Sequence, residues 1–274
     1  MSDEQSELAR RLELAPLEPL GRFADASNAT LLVRLTDRDP RPLEQLVAEF
    51  GREPQVEDLD PADLAVYKPE RGETPLWDYP TGTLHRREVA AYQVSAALGW
   101  GLVPLTVLRR DAPFGTGSVQ RFVPHDLDLH YFRLRELGDA AVLDALRRLV
   151  VFDLVINNGD RKGGHVLLEQ SAQERAGEGP VRGVVRGVDH GVSLHLEPKL
   201  RTVVWDFAGQ PVPDELGAAV AGLADALDGP LAARLTGLLT DEELAALRRR
   251  ARLVADLEVL PGPRSSRDYP WPPL

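Results

Sequence analysis

The chain has no cysteine and a single methionine in 274 residues. Without a thiol it can form no disulfide, no thiolate zinc site and no cysteine nucleophile. No apolar run approaches the roughly 18 residues that a membrane-crossing helix needs. The start, Met1-Ser-Asp-Glu-Gln-Ser-Glu7, carries neither the basic nor the apolar region of a secretory leader. A soluble, cytoplasmic protein is expected. Positive charge is also scarce: 32 Lys and Arg stand against 43 Asp and Glu, a formal net charge of -11. Such a surface repels polyanions, which disfavours a nucleic-acid partner, and without a basic cluster it disfavours stable binding to an anionic membrane. The Gly-x-Ser-x-Gly elbow of many serine hydrolases is missing as well.

What is present supports a real core: the chain is 43% hydrophobic and long enough for one large domain or two lobes. Residues 17–23 and 29–35 read as strands joined by an Asp-, Ser- and Asn-bearing turn. Residues 37–61 read as a charged, proline-bearing insertion with an amphipathic stretch at 43–50. A third strand over 64–67 ends at Lys68-Pro69, a loop follows over 70–82, and helical spacing over 84–98 is closed by Gly99. Strands over 102–108 and 117–123 complete an antiparallel sheet of about five strands. The first lobe is therefore set at residues 1–124. In the second, 125–274, a long helix over 140–157 precedes short strands at 166–168 and 184–188, with 169–183 expected as a disordered hairpin tip. Helices follow over 215–227, 231–239 and 241–257, the last opened by the capping box Thr240-Asp-Glu-Glu243. A tail over 261–274 with five prolines is expected to be extended. The fold class is α+β: a β-sheet lobe with one helix, then a mainly helical lobe.

Two segments in the second lobe carry the chemistry. Asn157-Asn-Gly-Asp-Arg-Lys-Gly-Gly-His165 and Gly187-Val-Asp-His-Gly191 each set one carboxylate, Asp160 or Asp189, in a glycine-flanked turn beside a short apolar strand. Phosphoryl transfer uses such a pair, one Asp orienting a hydroxyl nucleophile and the other holding the metal that bridges nucleotide phosphates. Either Asp alone reads as a turn residue; two with matching flanks favour function. Arg161 and Lys162 stand among three glycines that allow close approach of a bulky anion. Lys68, at a strand end, is a candidate phosphate contact, and Glu88 on the next helix is its candidate ion-pair partner; two unrelated surface charges are the alternative. Ser27 and Asn28 could offer N–H groups to a phosphate, or form an ordinary turn. His165 reads either as a metal ligand or as a hydrogen-bonded structural residue, since Mg²⁺ prefers oxygen. His190 and His195 match no standard zinc spacing.

At these residues the chain resembles the phosphatidylinositol 3- and 4-kinase-like superfamily and, over nearly its full length, an actinobacterial group related to it. The stretches that carry the resemblance are Asp25-Ala-Ser-Asn-Ala-Thr30, Tyr67-Lys-Pro-Glu-Arg-Gly-Glu73, Pro75-Leu-Trp-Asp78, Arg87-Glu-Val-Ala-Ala-Tyr92, Leu98-Gly-Trp-Gly-Leu-Val-Pro104 and the two aspartate segments. The resemblance implies a bilobal kinase-like fold that uses ATP with Mg²⁺ or Mn²⁺. In it Lys68 binds phosphate, Glu88 pairs with Lys68, Asp160 is the catalytic-loop carboxylate, and Asp189 is the counterpart of the Asp-Phe-Gly aspartate. The hinge for adenine is expected at Gln120, Phe122 and Val123. The superfamily's usual second metal ligand, an Asn five residues after the catalytic Asp, is His165 here, and its phosphate loop is reduced to Ser27-Asn28. The expected activity is transfer of the γ-phosphoryl group to a hydroxyl of a soluble protein or small molecule. A nucleotide-binding pseudokinase or scaffold and a nucleotidyl transferase are the alternatives.

Overall fold

Alternating apolar residues pair into a sheet in the first part of the chain. The computed structural model describes residues 3–23, 28–37, 39–52, 56–176 and 181–274. Strands β1 (Leu17–Arg22), β2 (Leu31–Leu35), β3 (Leu64–Pro69), β4 (Thr106–Arg109) and β5 (Gly117–Arg121) form one antiparallel sheet in the order β1-β2-β3-β5-β4. Side chains two apart share a face. One face buries Leu17, Val33, Ala65, Tyr67, Val107 and Val119 against Leu12, and the other carries Leu20, Leu64 and Phe122. Pairing of β3 with β5 requires a glycine, because a Cβ at Gly117 would lie 2.5 Å from the Lys68 carbonyl.

Leu12 belongs to α1 (Asp3–Leu14), a helix the sequence reading did not anticipate, because only this one residue of it is buried. What fixes α1 is Arg109, whose guanidinium takes the Leu12 and Ala15 carbonyls at its C-terminus, where a cation also meets the negative end of the helix dipole. The amphipathic stretch at 43–50 is helix α2 (Leu43–Phe50), and α3 (Leu84–Leu98) ends at Gly99, in the left-handed region at φ 68. The strand expected from 102 begins only at Thr106. Pro104 has no N–H for a ladder, and the Val103 N–H is taken by the Ser95 hydroxyl at 3.1 Å.

Two compact units result, one of residues 1–89 and 104–123, the other of residues 90–103 and 124–274. Residues 90–103, which the sequence assigned to the first lobe, thus cluster with the second. That unit is mainly helical: α4 (Tyr131–Leu137), α5 (Ala140–Ile156), α6 (Ala172–Ala176), α7 (Asp214–Ala226), α8 (Pro230–Leu235) and α9 (Asp241–Ala255) surround one hairpin, β6 (Val166–Glu169) with β7 (Val184–Gly187). Helix α5 is its axis, with Leu146, Leu149, Val150, Phe152, Val155 and Ile156 buried. Asp139 caps its start and the Thr240/Glu243 capping box opens α9. Where a disordered tip was expected, α6 forms over 172–176; residues 177–180 lie outside the described ones. Helix α8 stops at Leu235, two residues before Gly237 at φ 80. The tail carries no helix longer than the single turn Ser266–Asp268. No helix of the described residues is long and apolar enough to cross a membrane.

Because Leu146 is fully buried in this core, Leu146→Ala should lower unfolding free energy by about 2–5 kcal/mol in urea melts. A loss below about 1 kcal/mol, the range typical of surface sites, would contradict the packing described.

Candidate active site

In the first unit, β3 carries Lys68 and α3 carries Glu88, and the ammonium pairs directly with the Glu88 carboxylate. Glu88 is buried and Lys68 about one-fifth exposed, so the Lys head is held in place with part of its surface left to solvent. The start of α3 is fixed by Glu73. Its carboxylate accepts the His85 backbone N–H at 2.8 Å and contacts the His85 ring Nδ1 at 2.6 Å. Burial would raise the pKa of Glu73, yet these bonds hold it below the usual value. Of the candidate phosphate loop, Ser27 lies outside the described residues. The Asn28 side-chain oxygen accepts the Thr74 N–H at 2.7 Å, so that atom staples the loop to the chain after β3. In the expected hinge the side chains of Gln120, Phe122 and Val123 are all buried. The Gln120 amide donates to the Thr106 hydroxyl at 2.8 Å and the Phe122 N–H to the Leu64 carbonyl at 3.1 Å.

In the second unit the β6–β7 hairpin brings both aspartate segments together. Val166 pairs with Gly187, which places His165 beside Val188, whose N–H donates to the His165 carbonyl at 3.0 Å. Arg161 then ties the two loops. Its fully buried guanidinium contacts Asp153 through Nε and Nη2, and donates from Nη1 to the His165 and Val188 carbonyls at 3.2 and 2.9 Å. A 2.7 Å contact joins Nη2 to His190 Nε2. A guanidinium only donates, so that nitrogen accepts and neutral His190 carries its proton on Nδ1. Gly187 leaves the room: a Cβ there would lie 3.2 Å from Nη2. The expectation that Arg161 contacts nucleotide is therefore corrected. Every face of its guanidinium is turned to protein, because Asp153, on the buried face of α5, needs a cation.

Asn157 ends α5 at φ 53 and its side chain binds main-chain groups of residues 195, 197 and 199. Asn158 forms the Asx turn, its side-chain oxygen accepting the Asp160 N–H at 3.0 Å. The Asp160 carboxylate lies 3.4 Å from Lys162 Nζ. Burial pushes its pKa up to about 6, with Lys162 pulling it down and the Asp189 charge pushing it up. Lys162 is thus the neighbour of Asp160, as the sequence order suggests.

His165 meets Asp189 at 3.4 Å, Nε2 to Oδ2. The tautomer follows from the other nitrogen. Nδ1 lies 2.9 Å from the Asp160 carbonyl, which can only accept, so Nδ1 carries the proton; the Lys162 N–H at 3.5 Å is too distant to compete. In the neutral ring Nε2 turns a lone pair toward a carboxylate oxygen, and two such donors repel unless a proton or a cation lies between them. Asp189 itself is held at φ 59, a left-handed conformation that non-glycine residues rarely adopt. Among the described residues no three His, Cys, Asp or Glu side chains gather as a metal cluster. A nucleotide-bound Mg²⁺ or Mn²⁺ asks for less, one or two side chains with phosphate oxygens and water completing the shell. Neighbouring donors on an octahedral ion with bonds of about 2.1 Å stand about 3.0 Å apart, so the pair comes within reach of one ion after closing by about 0.4 Å.

The residues that sequence reasoning missed are Asp153 and Asn158. The signal was available: Asp153 is the one charge in Leu149-Val-Val-Phe-Asp-Leu-Val-Ile156, and a carboxylate in an apolar run calls for a buried cation.

No family model matches the chain. Protein Rv2133c of Mycobacterium tuberculosis is 42% identical to it over 288 residues, covering 93% of this chain and 91% of that one. Among solved structures, hydra Fam20 with sugar aligns at a TM-score of 0.53 and 14% identity, covering 93% of this chain and 88% of that one. A Golgi casein kinase with Mn and ADP bound aligns at 0.52 and 13%, covering 93% and 75%. At these identities the likeness is one of fold, and the fold is kinase-like.

Replacing Arg161 by Lys removes the planar fork but keeps the charge. We expect a loss of about 3–5 kcal/mol in chemical denaturation, the cost of breaking a buried ion pair, whereas Lys162→Ala, at a partly exposed pair, should cost under about 1 kcal/mol. Equal losses at the two positions would contradict the clamp.

Proposed function

The chain belongs to the same family as Protein Rv2133c of Mycobacterium tuberculosis, and we propose that it is an ATP-dependent phosphotransferase that moves the γ-phosphoryl group to a hydroxyl of a soluble protein or small molecule. The reading is supported by the kinase-like fold and carried by one observation: the His165 ring, with its proton fixed on Nδ1, aims Nε2 at the Asp189 carboxylate 3.4 Å away. Asp189 and His165 would hold Mg²⁺ or Mn²⁺. When bound, that cation offsets negative charge on the nucleotide phosphates.

The other roles follow from the groups present. Lys68, steadied by Glu88, pairs with phosphate oxygens. Ionised Asp160 accepts the hydrogen bond of the acceptor hydroxyl and takes its proton as the new oxygen–phosphorus bond forms and the bond to the β–γ bridging oxygen breaks, with ADP leaving. Lys162, beside Asp160, offsets charge on the transferred group. The superfamily resemblance through Lys68, Glu88, Asp160 and Asp189 supports the same assignment. The acceptor is not proposed to be a membrane lipid, because a net charge of -11 without a basic cluster opposes an anionic bilayer.

His165 and the stapled Asn28 also favour a second reading, a nucleotide-binding scaffold without turnover. Thermal shifts separate the two, since a ligand bound to the native state raises the melting temperature whether or not it reacts.

The test is ADP release and phosphate transfer with MgATP and MnATP across pH. Only the ionised form of Asp160 can accept a proton, so with a pKa of about 6 the rate should rise as pH increases through that value and level off above it. Asp160→Asn should lower the plateau about 10²–10⁴-fold, and Asp189→Ala should abolish turnover. Turnover unaffected by Asp189→Ala, or a rate flat from about pH 5 to 8, would sink the proposal.

A further inference from the structure

The segment after the Asp189 loop runs alongside the catalytic loop. Arg201 donates its N–H to the Asn158 carbonyl at 2.8 Å and accepts the Arg161 N–H at 2.9 Å, and the Val203 N–H donates to the Arg161 carbonyl at 3.0 Å. The Arg201 main chain is thereby bonded to residues on both sides of Asp160. Its neighbour Thr202 is buried, while the Arg201 side chain is exposed. Three other cations of these loops have carboxylate partners: Arg161 pairs with Asp153, Lys162 with Asp160 and Lys199 with Glu197. Arg201 forms no ion pair or side-chain hydrogen bond among the described residues.

We propose that Arg201 selects the acceptor, binding a carboxylate or phosphate group that the acceptor carries near its reactive hydroxyl. This rests on the phosphotransferase reading. A guanidinium offers a two-pronged contact to either anion, and the bonded main chain roots this side chain beside the loop that carries Asp160. The overall charge sharpens the selection: a chain at -11 repels anions generally, so an anionic acceptor gains only where an uncommitted cation stands. Neutral hydroxyl compounds gain nothing from Arg201. The two sources of this chemistry are an acidic peptide and a small phosphorylated alcohol.

Both are compared with neutral partners using the full chain: a serine peptide flanked by Glu against the same peptide flanked by Gln, and glycerol 3-phosphate against glycerol. Wild type should favour the anionic member of at least one pair by about tenfold or more in kcat/KM, the size of a charge-assisted hydrogen bond. Arg201→Glu should abolish or reverse that ratio; which pair responds identifies the source. Equal kcat/KM within both pairs overturns the proposal. So does a preference that survives in Arg201→Glu, a defect confined to KM for ATP, or ADP release that neither anionic acceptor stimulates. Those outcomes leave the phosphotransferase reading standing, whereas a folded wild type that releases no ADP with either metal ends both.

Discussion

The buried guanidinium of Arg161 holds two loops in one arrangement. It neutralises Asp153 on α5, reaches the His165 carbonyl at the end of one loop and the Val188 carbonyl just before Asp189 in the other. A carboxylate inside an apolar helix face is strongly unfavourable without a partner, so the pair forms wherever the core forms. The two carbonyls follow, because each unused N–H of the fork needs an acceptor. The chain thus couples folding of its largest core to the relative position of its two candidate metal donors.

That coupling accounts for local strain. All non-glycine residues with positive φ among the described ones, Asn157, Asp189 and Leu194, lie in or beside these loops. Such conformations cost on the order of 1–3 kcal/mol each and persist only when neighbours over-determine them. Here the neighbours are identified: Asn157 binds three main-chain groups, the Leu194 N–H meets the Ile156 carbonyl at 2.6 Å, and Asp189 directly follows a residue held by Arg161. Lys68 and Glu88 are arranged by a different device, since the strand sets the Lys and a helix capped by Glu73 sets the Glu. Each set of groups is held in place by contacts within the protein alone.

Much of this was legible in the sequence. Short apolar stretches between turn residues exposed the five strands, and Gly99 and the Thr240 capping box marked helix ends, because each of those signals is local. Helix α1 was not legible, since Leu12 alone is buried and the anchoring Arg109 lies far along the chain. Arg161 was misread for a related reason: a cation between glycines in a loop looks available for an anion, and its burial depends on Asp153 and on the Gly187 gap, which a linear reading separates. The pairing of His165 with Asp189 was legible as two candidates but not as one geometry, because the proton on Nδ1 depends on how the Asp160 carbonyl turns.

The central claim is that His165 and Asp189 share a nucleotide-bound cation. Electron–nuclear double resonance on the full chain with isotopically labelled histidine, Mn²⁺ and ADP tests it directly. The account predicts a hyperfine coupling between Mn²⁺ and a histidine nitrogen that disappears in His165→Asn, in which the asparagine oxygen still binds the metal. Bound Mn²⁺ with no histidine coupling in the wild-type protein, or a coupling that persists in His165→Asn, would contradict it.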